Sequence, residues 1–204
     1  MAIRTGQQYL EAIAKPRDIR IDGEKVTNVT TDPRFSGGAK TMAAIFDLQN
    51  REDLIDKMTY VEDGERYGLS HKMISTKEDL ADRKEMFKIW SDFSCGTFGR
   101  SPDYMNVYLM AMAAAADQFG EYADNVKNYY KYIRDNDLSM THTLVNPQVD
   151  RSKPVEQQDK DLAAKIVETN DKGIVIKGAR MVSTLSAYAD EILVVPSGII
   201  QNNQ

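Results

Sequence analysis

The helical spacing of apolar residues ends near Leu138, and a strand-like pattern follows it. This change constrains the chain more than any other feature. Upstream, Phe119, Tyr122, Val126, Tyr129 and Ile133 recur at helical spacing, with a break near Gly120. Downstream, Lys165 to Glu168, a turn over Asn170 to Gly173, and Ile174 to Lys177 read as strand, turn, strand, and Ile192 to Val195 reads as another short strand. Asn146-Pro147 and Lys153-Pro154 interrupt any helix between them. Ala163 to Thr169 is short enough to be helical as well, and periodicity does not decide it. The expectation is an α+β multidomain chain, with a mainly helical region over residues 1–138 and the beginning of a β domain over 139–204.

Local signals fill in the first region. Thr5 and Gln8 have capping-box spacing ahead of Tyr9, Leu10 and Ile13. Ile19 and Ile21 alternate with charges up to Asp22-Gly23, a hairpin turn, with Val26 and Val29 beyond it. Asp32-Pro33 and Gly37-Gly38 are expected to mark loops. Asn50 is expected to cap a short helix bearing Leu54, Ile55 and Met58. Ser75 and Glu78 are expected to form a second capping box, before Leu80, Phe87, Trp90 and Phe93. Ser101-Pro102-Asp103 is a helix start: a capping hydroxyl, proline at the first helical position, then an acid at the positive end of the dipole. The Met- and Ala-rich run from Tyr104 to Ala116 predicts a slim helix that packs closely.

Composition excludes several classes of function. The 26 basic and 31 acidic residues are evenly mixed, with no basic block, which argues against a nucleic-acid surface. No apolar run approaches the roughly 20 residues of a membrane span, and no secretory h-region opens the chain. Cys95 is the only cysteine, so neither a disulfide framework nor a multi-cysteine metal site is expected within one chain. A cytoplasmic protein without metal is the expectation. Nucleotide-loop, zinc-protease and serine-hydrolase signatures are absent.

Three residues could carry chemistry. Arg100 precedes the Ser101 cap, and Tyr104 follows in the first turn, so both belong to a helix amino terminus that favours negative charge. With His142, they would suit holding a phenolate or polarising an oxygen. On the residues alone, an arginine in a surface ion pair, a packed tyrosine and a loop histidine are the more ordinary readings. Thr141 through Arg151 is dense in short polar donors and stiffened by Pro147, which suits a planar cofactor or a plain linker.

The stretches Gly99 through Tyr104, Thr141 through Arg151, Gly173 through Met181 and Glu191 through Ser197, with the opening Arg4 through Leu10, resemble the two-component flavin monooxygenases that hydroxylate 4-hydroxyphenylacetate. The resemblance runs along essentially the whole chain. It implies an acyl-CoA dehydrogenase-like fold: a helical domain, a β-barrel, then a carboxy-terminal helical bundle that this shorter chain would lack. It implies reduced FAD from a separate NAD(P)H-dependent reductase, O2 as co-substrate, and ortho-hydroxylation of a phenol to a catechol through C4a-hydroperoxyflavin. It also implies assembly as a homotetramer, the usual state in that family. By the same resemblance, Arg100, Tyr104 and His142 surround the substrate phenol. Ser197 and Gly198 lie near its carboxylate end, and His142, Thr143, Gln148, Arg151 and Thr184 contact the flavin. Other readings stay open: an inactive fragment or split-gene product that acts as an oligomerising or binding module, and a chlorophenol monooxygenase. The related 4-hydroxybutyryl-CoA dehydratases need cysteine ligands for an iron–sulfur cluster, which one cysteine does not supply.

Overall fold

The computed structural model describes residues 2–97, 104–153, 157–159 and 162–195. Six α-helices and eight strands are described: α1 (Gly6–Ile13), β1 (Ile19–Ile21), β2 (Glu24–Val26), α2 (Ser36–Leu48), α3 (Ile55–Met58), β3 (Thr59–Glu62), β4 (Glu65–Gly68), α4 (Lys77–Phe93), α5 (Tyr104–Ala114), α6 (Ala123–Asp135), β5 (Met140–Thr143), β6 (Lys165–Asn170), β7 (Gly173–Lys177) and β8 (Glu191–Val194), with 3-10 turns at Leu69–His71 and Ala116–Tyr122. Chain contacts divide them into two units, Met1–Thr141 with Leu185–Glu191, and His142–Thr184 with Ile192–Gln204.

The first unit is built around α2. One stripe of this helix, Ala39, Met42, Ala43 and Phe46, packs with Tyr9, Ile13, Val26 and Val29. Its other side gives Ile45 and Leu48 to a second cluster with Met58, Leu69, Met86 and Trp90. The sequence reading put a loop at Gly37-Gly38, and the structure overturns it: both glycines lie in the first turn of α2. Two buried stripes on one helix outweigh the weak helix propensity of glycine. Gly38 has a further reason, since a Cβ there would meet the Tyr188 ring at 2.6–2.7 Å.

The expected start at Ser101-Pro102-Asp103 lies outside the described residues, and the other helix starts follow the local signals with two corrections. Thr5 caps α1 in a full capping box with Gln8. The box ahead of α4 is made by Thr76 and Asp79, one residue beyond the expected Ser75 and Glu78. Asp79 accepts backbone N–H bonds from Ser75 and Thr76 and pairs with Lys72 at 2.5 Å. Lys72 and these donors hold its carboxyl well below the usual range. Asn50 does not cap a helix. Its amide donates to the carbonyls of Arg4 and Phe46, and α3 starts at Ile55 behind Leu54, which makes no side-chain cap.

The Asp22-Gly23 turn closes β1 on β2 as expected, Ile21 facing Glu24. A second hairpin, β3 with β4, turns at Asp63-Gly64 by the same device. All four turn residues have positive φ, as tight hairpin turns require. Gly120 (φ 55°, ψ −124°) makes the break between α5 and α6.

Residues 185–191 rejoin the first unit, whereas the sequence reading placed a single boundary near Leu138. Side-chain chemistry draws them back. Ala189 is buried, the Tyr9 hydroxyl donates to the Tyr188 carbonyl at 2.7 Å, and Arg17 donates to the Ala189 carbonyl at 2.7 Å.

In the second unit β6 and β7 form a hairpin, Ile166 opposite Ile176, with an irregularity between Ile166 and Glu168. The strand reading of Lys165 to Glu168 therefore holds over the helical one. Every residue of both strands is exposed. β5 pairs with β8, and the chain crosses from one unit to the other within these two strands.

Candidate active site

Tyr104 is the first described residue of α5, and half of it is exposed to solvent or less. Its phenol hydroxyl lies 2.7 Å from Oγ1 of Thr141, the second residue of β5. Thr141 is completely buried, as is Met140 beside it. Helix and strand are thus joined at the residue where a phenol group emerges.

Each side of that bond has its own support. Two residues along α5, buried Asn106 directs its amide nitrogen to Ser70 Oγ at 3.0 Å and to His71 Nε2 at 3.3 Å. Ahead of β5, Asp137 is buried and accepts from the Arg4 backbone N–H at 3.0 Å and from Gln49 Nε2 at 2.5 Å, with His71 Nε2 at 3.3 Å. Burial by itself would raise the pKa of Asp137. The bond and charge of His71, with help from Arg4, outweigh it and hold the carboxyl below its ordinary range. Ser139 donates both its N–H (2.9 Å) and its hydroxyl (2.8 Å) to Asp190, which also takes the Arg4 guanidinium. The sequence reading named none of Ser70, His71, Asn106, Asp137, Ser139 and Asp190. Each is a lone polar residue with no local pattern, and only burial reveals them.

Of the other expected site residues, His142, Thr143, Gln148, Arg151 and Thr184 belong to the second unit. His142 occupies the half-buried position of β5 between buried Thr141 and Thr143. The Thr143 hydroxyl donates to the Met181 carbonyl at 3.0 Å, and its own carbonyl accepts from Val195 N–H at 3.2 Å. Thr143 is therefore committed to backbone and fits a flavin contact less well than its neighbours. Gln148, Arg151 and Thr184 are exposed, and each carries hydrogen-bond donors suited to a flavin's carbonyl, ring-nitrogen or phosphate acceptors. The polypeptide just past Gln148 is ordered by Gln158, which exchanges bonds with the Asp150 backbone at 3.2 and 2.5 Å. Asp150 is held below its usual pKa by Ser152 and Lys153. Arg100, Ser197 and Gly198 lie outside the described residues. Among the described residues no cluster of three or more acidic, histidine or cysteine side chains could hold a metal, and no helix is long and apolar enough to cross a membrane.

The family model described as 4-hydroxyphenylacetate 3-hydroxylase N terminal matches residues 5–204. The chain belongs to this family. It is 48% identical over 200 residues to the 4-hydroxyphenylacetate 3-monooxygenase oxygenase component of Thermus thermophilus, covering 97% of this chain and 41% of that protein. It is 30% identical over 203 residues to the oxygenase component of 4-nitrophenol 2-monooxygenase from a Rhodococcus species, covering 98% and 39%. Among solved structures, the oxygenase component of 4-hydroxyphenylacetate 3-monooxygenase complexed with FAD and 4-hydroxyphenylacetate superposes with a TM-score of 0.91 at 47% identity, over 97% of this chain and 42% of that one. The family is one of monooxygenases, and the chain spans about two fifths of the length of these relatives.

Proposed function

We propose that this chain supplies the phenol-binding part of the oxygenase component of a two-component flavin monooxygenase that ortho-hydroxylates 4-hydroxyphenylacetate or a close phenol to a catechol. The observation that carries this reading is the Tyr104–Thr141 hydrogen bond of 2.7 Å, which fixes a phenol at the start of α5 against the strand that continues into His142. It gains weight from the 47% identical structure that was solved with FAD and 4-hydroxyphenylacetate.

In this reading the chain's residues manage the substrate's proton and charge. Tyr104 orients the substrate hydroxyl. His142 accepts the phenolic proton, which raises electron density at the ortho carbon. Arg100 stabilises the negative charge that develops on the phenolic oxygen, and Ser197 with Gly198 binds the carboxylate end. His142, Gln148, Arg151 and Thr184 are the residues that would hold FAD, with Thr143 acting on the backbone around them. Reduced FAD with O2 supplies the electrophilic oxygen atom. A separate NAD(P)H-dependent reductase delivers the reduced flavin, and the working assembly is a cytoplasmic homotetramer. The β5–β8 and β6–β7 pairs are the start of the barrel of an acyl-CoA dehydrogenase-like fold, whose carboxy-terminal bundle corresponds to the remaining length of the relatives.

The 4-nitrophenol enzyme among the relatives keeps phenols other than 4-hydroxyphenylacetate as substrates of the same reading. A second reading, a binding or oligomerising module without activity of its own, is favoured by the fully exposed β6–β7 hairpin. One experiment separates them. The chain is extended to the full length of its relatives and given reduced FAD, O2 and a panel of phenols. Catechol formation that Arg100→Ala slows sharply is expected. Absence of catechol from every phenol, with the folded state verified, overturns the monooxygenase reading and leaves the module.

A further inference from the structure

We propose that Thr141 is a positioning residue, which fixes the Tyr104 phenol where it meets the substrate hydroxyl; the inference rests on the function proposed above. The two oxygens are 2.7 Å apart, the usual separation of a well-formed O–H···O bond. Thr141 has no exposed surface, so bulk water does not compete for its hydroxyl. As a β-branched residue in a strand it also has few χ1 choices.

Both partners stand on supports that resist displacement. On the helix, the Asn106 amide donates to Ser70 Oγ at 3.0 Å and ties α5 to that turn. On the strand side, Ser139 is held through its N–H and hydroxyl by Asp190, and Asp137 binds Arg4, Gln49 and His71. The phenol is thus set between two buried groups of polar contacts, one on the helix side and one on the strand side. A hydroxyl suits position 141 for a chemical reason as well. It donates or accepts, so it follows the Tyr104 proton in either direction as that proton is shared with a substrate phenol or phenolate. A carboxylate would only accept and an ammonium would only donate. Thr141 touches no reacting atom in this reading. It acts through Tyr104, by the precision with which the phenol is placed.

The test uses Thr141→Val, which keeps the shape and loses the hydroxyl, and Thr141→Ser, which restores it. In the 204-residue chain, 3-fluorotyrosine replaces Tyr104 and its fluorine resonance is recorded. In the protein extended to full length, catechol formed per O2 consumed is measured together with kcat and KM. Val is expected to shift the resonance and to lower the catechol yield about three- to tenfold, the effect of one lost hydrogen bond, while Ser restores both. An unmoved resonance in Val overturns the bond itself. A shifted resonance with full catechol yield, where Tyr104→Phe lowers the yield, overturns the positioning role and leaves the proposed function intact. Full yield in both Tyr104→Phe and Thr141→Val overturns the role of Tyr104, and this proposal with it.

Discussion

Arg4 and Asp190, 186 residues apart in the sequence, meet in a two-pronged ion pair at 2.7 and 3.2 Å. Their side chains are 11% and 10% exposed. The guanidinium also lies over the Phe46 ring, 4.6 Å from its centroid. The pair closes the first unit by joining the segment before α1 to the segment before β8. Removing one partner strands a charge among apolar groups, so Arg4→Met and Asp190→Ala should each cost roughly 3–5 kcal/mol. The double variant should cost less than the sum. Urea midpoints of the four proteins measure this, and simple additivity would show that the pair is not coupled.

Acid should act through Asp137. Its pKa is depressed in the folded chain below the ordinary 3.8, because the His71 and Arg4 interactions outweigh burial. A group of this kind contributes its full stability above the unfolded-state pKa and loses it as pH falls through the folded value. Stability should therefore decline from about pH 4 downward, in the window that starts at 3.8. Asp137→Asn should be less stable at neutral pH and show a shallower acid decline. Thermal unfolding at a series of pH values reads both, and an unchanged acid slope in the Asn variant would exonerate this carboxyl.

Two glycines in helices should respond oppositely to alanine. A Cβ on Gly6 would sit 2.4 Å from the Ala43 carbonyl oxygen and 2.6 Å from Asp47 Oδ2, so α1 and α2 must separate. Gly6→Ala should cost about 1–3 kcal/mol or more from overpacking. Gly37, in the first turn of α2, has open space at its Cβ position and no positive φ. Gly37→Ala should gain roughly 0.4–1 kcal/mol by restricting the unfolded chain. Denaturant midpoints decide it, and equal shifts for both would refute the close approach of α1 to α2.

Arg100 should matter through charge and planarity together. Guanidinium offers a fixed fork of donors, and lysine keeps the charge without the fork. In the protein extended to full length, Arg100→Ala should lose roughly 2–4 kcal/mol of transition-state stabilisation in the hydroxylation step, the range for a lost oxyanion donor. Arg100→Lys should fall between alanine and wild type. Single-turnover rates measure this. Equal rates in all three would assign Arg100 to a surface ion pair, worth about 0–1 kcal/mol.

Sequence alone determined the features whose physics is local. The Thr5–Gln8 capping box, the Asp22-Gly23 turn, the break at Gly120 and the β6–β7 hairpin each depend on residues within a few positions of one another. Steric limits on φ and short-range hydrogen bonds decide such features before any tertiary contact forms. Sequence also identified Tyr104 and His142 as candidates through residue type and resemblance. Tertiary structure decided what local physics leaves open. Gly37 and Gly38 became helical because α2 is buried on two sides, and residues 185–191 returned to the first unit because Asp190 and Ala189 find partners there. Thr141 acquired its partner 37 residues away in α5. His71 and Asp137 became partners although 66 residues separate them, and Asn106 found Ser70 36 residues away. A polar side chain carries no mark of whether it will be buried. The cost of leaving it unpaired away from water arises only after the apolar stripes have packed, and that packing chooses the partners.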